Sequence, residues 1–212
     1  MERKLSDVKY LTLLGLFVAI ELVLGLVPNL GYIQLPVLAL TIITAHVPVI
    51  ISGVILGPKA GGILGFFFGL TSMINATYRP SNPIEGAVFS PFFTAGPFTG
   101  GVRSVIICFL PRILVGVFAG LLFAALKKAR VKEPVSLILS GVAGSLTNTI
   151  LVLAGIYFIF GNEYAAGYGM TMGVLRAAIF TVISTNGLTE AVLAAIVTLV
   201  LGKALLKVTS RY

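Results

Sequence analysis

With 212 residues, 58% of them hydrophobic and only 10% charged, and a mean hydropathy of +1.07, the chain lies far outside the composition of soluble domains. Its net charge of +8 does not mark a nucleic-acid binder, because the basic residues sit in clusters that punctuate apolar runs. One cysteine, Cys108, and one histidine, His46, exclude an internal disulfide, a cysteine-rich metal site and a multi-histidine metal or haem site, and no cofactor is expected.

Apolar runs of about 20 residues are long enough for a helix to cross the roughly 30 Å hydrocarbon core of a bilayer. Six are predicted, forming one membrane-embedded, all-α domain over 1–212. Helix 1 covers 8–27; no small-residue cleavage site ends its run (Leu24 to Pro28 reads LGLVP), so it reads as a retained helix and not a signal peptide. The external loop 28–36 carries Tyr32, Gln34 and Pro36, and helix 2, 37–56, returns to the internal turn Gly57-Pro58-Lys59. That turn lacks the glycine spacing and the Ser/Thr of a phosphate loop, so the chain carries no ATPase motif. Helix 3, 60–78, leads to the long external segment 79–103, rich in proline, glycine and phenylalanine. Such an apolar loop suits a lid packed over something. Helix 4, 105–126, ends in the basic loop Lys127 to Pro134. Helix 5, 135–160, leads to the external loop 161–173, and helix 6, 174–202, ends in a basic tail. Eleven of the 15 basic residues fall on one side and two, Arg79 and Arg103, on the other, which places both termini in the cytoplasm. No internal repeat is evident.

An ionisable group inside a span costs at least about 2.5–3.5 kcal/mol, so each needs a partner or a cavity. By position along the helices, His46, Asn148 and Asn186 fall near the midplane, Glu21, Asn75, Arg112 and Arg176 in the outer half, and Glu190 in the inner half. Polar groups concentrated beneath capping external loops describe a pocket open to the outside. The candidate contacts are Arg112, Asn148, Asn186, Arg176 and Asn75, with Tyr32, Gln34, Phe92 and Tyr157 around them. Blander roles stand beside these. Thr147-Asn148-Thr149 could bond between helices, Arg176 could snorkel to headgroups, and His46 could satisfy a carbonyl freed by Pro48. Glu190, deep and toward the cytoplasm, reads as a structural or coupling residue. Small-residue faces recur at Gly61, Gly65 and Gly69, at Gly116, Gly120 and Ala124, and at Gly15 and Ala19. The first two suit packing within the bundle, and the last suits docking of a partner.

Several segments, in this order and spacing, carry a family resemblance. They are Thr44-Ala45-His46-Val47-Pro48, Leu56-Gly57-Pro58-Lys59-Ala60-Gly61, Gly65 to Ser72, Ser90-Pro91-Phe92, Pro111 to Gly116, Gly144 to Thr149, and Asn186 to Ala191. Over essentially its whole length the chain resembles the substrate-binding S components of energy-coupling factor (ECF) vitamin transporters, with the Gly-Ser-Leu-Thr-Asn-Thr run most like the pantothenate branch. The resemblance implies a six-helix fold whose external loops cap one vitamin. It also implies a transmembrane scaffold partner and two cytoplasmic ATPases. The family's small-residue docking motif maps onto Gly15 and Ala19, with glycine in place of the usual first alanine. Pyridoxine, hydroxymethylpyrimidine and folate are the other ligands this group suggests. Two readings from other classes are an intramembrane enzyme, for which the single His and Cys leave little chemistry, and a stand-alone facilitator.

Overall fold

The computed structural model describes residues 7–28, 30–35, 40–96 and 98–211. Among these, five helical segments are long and apolar enough to cross a membrane. They are α1 (Asp7–Leu26), α3 (Pro58–Tyr78), α5 (Val102–Lys128), α6 (Glu133–Gly167), and the continuous pair α7 (Met172–Val182) and α8 (Leu188–Arg211) joined through a π-helical turn, Ile183–Gly187. Two shorter helices, α2 (His46–Leu56) and α4 (Pro83–Phe89), and two small hairpins are the other elements among the described residues.

The sequence predicts helix 2 over 37–56; residues 37–39 lie outside the described residues, and of the rest only His46–Leu56 is helical. Residues Leu40–Ile43 form strand β2, paired antiparallel with β1 (Tyr32–Leu35), Tyr32 opposite Ile43. The β-branched run Thr41-Ile42-Ile43-Thr44 favours extended backbone. The N–H groups of Thr44 and Ala45 then donate to the Gly31 carbonyl and close the hairpin's base. What remains of helix 2 is an 11-residue rod, buried on every side over His46–Val54. At about 1.5 Å per residue it is too short to span a bilayer, so it lies inside the bundle as its core, with Val49 and Ile50 fully buried. Gly57, at φ 95°, makes the left-handed turn into α3, whose first residue is Pro58.

Helices α3 and α5 meet along their glycines. A Cβ placed on Gly61 or Gly65 would strike the backbone of Gly116 or of Arg112, and one on Gly116 would strike Gly61. The small-residue faces of the two predicted helices therefore pack against each other.

Two predicted external loops are also more ordered than expected. Segment 79–103 contains α4 and the hairpin β3 (Thr94–Ala95)–β4 (Phe98–Thr99). Loop 161–173 is mostly the end of α6, which continues to Gly167 with Ala165 buried and Glu163 paired to Arg103 at 3.1 Å. It stops in a Schellman turn. Gly169 sits at φ 63°, its N–H donates to Ala166, and that of Met170 donates to Ala165.

Candidate functional site

Pro111, in the middle of α5, has no N–H to offer the Ile107 carbonyl four residues back. The next residue repairs the gap: Arg112 Nη1 donates to the Ile107 oxygen at 2.9 Å. Its guanidinium also lies 4.9 Å over the Phe89 ring and 5.6 Å from that of Phe68, so the arginine is held from three directions. It is 5% exposed, and its Nε has no protein partner.

Arg112 lines a cavity of about 490 Å³ at the end of the bundle away from the basic clusters. The walls come from the end of α1 (Gly25 to Pro28), from α3 (Ser72, Asn75, Ala76, Arg79) and from α4 (Glu85, Phe89). The far side is α6 (Asn148, Thr149, Val152, Leu153), the π-turn (Asn186) and α8 (Glu190). Asn75, in the last turn of α3, and Arg79, the residue just after it, donate to the Gly25 and Leu26 carbonyls at 2.6 and 3.2 Å. They satisfy the end of α1 that its own helix leaves open. Asn148 is 4% exposed and its Oδ1 has no partner, which leaves a buried acceptor at the cavity wall. Asn186 accepts from the Thr185 hydroxyl at 3.2 Å. Glu190 accepts from the Ile43 N–H at 3.0 Å, tying the last residue of the β1–β2 hairpin to α8. Burial pushes the Glu85 carboxyl above the usual carboxylate range, while the Ser81 hydroxyl and the Arg112 guanidinium each pull it back.

Of the candidates from sequence, Arg112, Asn148, Asn186 and Asn75 line this cavity together. Three others do not. Arg176 is exposed, because it lies about 100° round α7 from Leu175, the buried residue of that helix. Phe92 is 77% exposed, since α4 ends at Phe89 and the following turn carries Phe92 outward. Tyr157 is half-buried one turn beyond Leu153, its ring 5.2 Å from that of Phe158. Tyr32 and Gln34 are on β1, and their side chains lie outside the described residues. Gly15 and Ala19 are exposed on α1, and a Cβ on Gly15 would meet nothing within 4 Å. His46 is fully buried with the Ile43 backbone beside its ring, and it does not line the cavity. Pro48 is in the first turn of α2, where it frees no carbonyl for His46 to satisfy. Glu21 is equally buried, and neither of its carboxylate oxygens has a hydrogen-bond partner.

Residues 9–202 match the family described as the substrate-specific component of ECF transporters. The chain belongs to that family. Among similar proteins is one named pantothenic acid transporter PanT from Lactococcus lactis subsp. cremoris (strain MG1363), 33% identical over 163 residues, or 76% of each chain. Another, named pantothenate transporter PanT, from Leuconostoc mesenteroides subsp. mesenteroides, is 35% identical over 122 residues, covering 56% of this chain and 52% of that one. This ECF component is thus a multi-pass protein of the cell membrane, and its relatives are transporters.

Sequence reasoning missed Arg79, Glu85 and Phe89 as cavity residues of this ECF component. A signal for two of them was present: Asn82-Pro83-Ile84-Glu85 is a helix start, an N-cap residue followed by proline and by glutamate at the third position. The Asn82 Oδ1 accepts the Glu85 N–H at 2.9 Å, and the helix so started puts Glu85 and Phe89 on one face.

Because Pro111 creates the acceptor that holds Arg112, Pro111→Ala restores a backbone donor to Ile107 and releases the guanidinium. The expected result is a higher thermal midpoint together with weaker ligand binding. A variant with unaltered binding would show that the proline does not position the arginine.

Proposed function

We propose that the protein is the vitamin-binding subunit of an ECF importer and that its ligand is pantothenate. The observation that carries this reading is the buried Arg112 guanidinium, with a free Nε, facing a cavity that also offers the unpartnered Asn148 oxygen. Pantothenate has a carboxylate for a guanidinium, and an amide and hydroxyls for neutral polar groups such as Asn148 and Asn186. Its branched dimethyl carbon suits the apolar wall of Val152, Leu153 and Phe89. The names of the two relatives point the same way.

The reading includes six crossings with both termini in the cytoplasm, α2 and the hairpin before it together making one of the six. The basic clusters at Lys59, at Lys127 to Lys132 and at Lys203 and Lys207 share one end of the bundle, which supports that orientation. It also includes a transmembrane scaffold and two cytoplasmic ATPases as partners, since the chain has no phosphate loop of its own. Calorimetry on the purified chain with pantothenate, pyridoxine, hydroxymethylpyrimidine and folate tests the ligand. Submicromolar binding of pantothenate alone is expected, and preference for another member of the panel would reassign the protein.

Docking is read onto the exposed Gly15/Ala19 face of α1, away from the cavity. Leucine at both positions adds bulk where a partner helix must come close, without touching the ligand. The double variant is expected to bind pantothenate in detergent yet lose ATP-driven uptake when reconstituted with its partners. Uptake at the wild-type rate would move the docking surface elsewhere.

A further inference from the structure

The cavity holds more charge than an anion site needs. Arg112 is its cation at depth; Arg79, the other, is exposed at the mouth and engaged with the Leu26 carbonyl. Against them stand the carboxylates of Glu85 and Glu190, on different walls, α4 and α8. Glu85 lies four residues, about 6 Å along the axis, from Phe89, the ring under the Arg112 guanidinium. It feels the charge of Arg112, yet among the described residues no ion pair joins them. The carboxylate lines the cavity bonded to the Ser81 side chain and not to the arginine.

Its carrier is firmly placed. Asn82 caps the start of α4. The Ser104 hydroxyl donates to the Ala87 carbonyl at 2.6 Å, and the Thr77 and Ser90 hydroxyls bond at 2.7 Å. Ala87 and Val88 are fully buried, so α4 has little room to swing Glu85 away. Glu190 is fixed by the Ile43 N–H. Both carboxylates are thus carried by elements anchored at the cavity wall.

We propose that Glu85 and Glu190 make the cavity a charge filter, admitting a ligand with one anionic group and turning away the same molecule once a hydroxyl has been converted to a phosphate ester. The inference rests on pantothenate being the ligand. The ligand carboxylate takes Arg112, and its hydroxyls can donate to a carboxylate wall. A phosphate adds about −1.5 to −2 charge at neutral pH and replaces that donor by acceptors. Inside the cavity, with Arg112 already paired, this charge meets the two carboxylates, while the other lining cation, Arg79, is at the mouth on the Leu26 carbonyl. The importer would thus take up the free vitamin and leave phosphorylated forms outside.

The test is isothermal titration of the full-length purified protein, wild type, Glu85→Gln and Glu190→Gln, with pantothenate and with its phosphate ester. Glutamine keeps the size of each side chain and, at 190, an acceptor for the Ile43 N–H. The wild type is expected to prefer pantothenate by about 100-fold or more. At least one variant should cut that ratio tenfold or more, chiefly by binding the ester more tightly. An ester that binds wild type within tenfold of pantothenate overturns the filter, as does a ratio unchanged in both variants, which would assign the discrimination to size. Pantothenate that fails to bind wild type at all overturns the ligand assignment, and the filter with it.

Discussion

Arg112→Ala is expected to weaken pantothenate binding by about 1.5–3 kcal/mol, roughly ten- to 150-fold, the range for a hydrogen bond to a charged group. The same substitution should change binding of pantothenol, in which a hydroxyl replaces the carboxylate, far less. The contrast matters because Arg112 is also structural. It fills the hydrogen-bond gap left by Pro111 and covers two phenylalanine rings, so its removal disturbs the wall for any ligand. Only the part of the loss confined to the anion reports a charge pair. Titration of both ligands against both proteins separates the two parts, and equal losses would assign the arginine to scaffolding alone.

 Gly116→Ala is expected to lower the thermal midpoint of the protein sharply, because the added methyl falls where backbone packs against backbone. A Cβ on Gly116 would strike the backbone of Gly61, and backbone cannot rotate away as a side chain can. Helices α3 and α5 must then part along the seam that also holds Gly65 against Arg112, so the floor of the cavity shifts with them. Overpacking of this kind costs about 1–3 kcal/mol, and more where nothing yields. Gly15→Ala is the matched control, because a Cβ there meets nothing within 4 Å and alanine is the better helix former. Thermal unfolding in detergent, followed by tryptophan-free methods such as circular dichroism, should show a large drop for Gly116→Ala and none for Gly15→Ala. Equal midpoints for the two variants would mean that the glycine seam does not hold the bundle together.

The long apolar helices were legible because lipid imposes a length and a composition that a sequence shows directly. Arg112 was legible for a related reason: a charge inside an apolar run, next to a proline, needs a local account, and the Ile107 carbonyl supplies one. The hairpin before α2 was not legible. Its residues are apolar enough for a span, and hydropathy does not separate a buried strand from half a helix when the run is short. The choice is made by the Gly31 carbonyl and by Glu190, a residue 147 positions away from the Ile43 it binds. Arg176 shows the opposite limit. Depth along a helix can be counted from sequence, but facing depends on which side of α7 packs, and the buried Leu175 turns its neighbour outward.

The π-helical turn Ile183–Gly187 has a consequence for how this chain can tolerate change in length. A π-turn holds one residue more than the α-helical turn it interrupts. Deleting any one residue between 183 and 187 would let the helix close into regular pitch, rotating everything before it by about 100° relative to α8. Val182 and Asn186 face the cavity from within or beside that turn, whereas Glu190 faces it from the helix after it. The two sides of the site on this helix are thus in phase only with the extra residue in place. Among chains of this fold, one-residue gaps at this point would mark a change of ligand rather than neutral drift in a connecting segment.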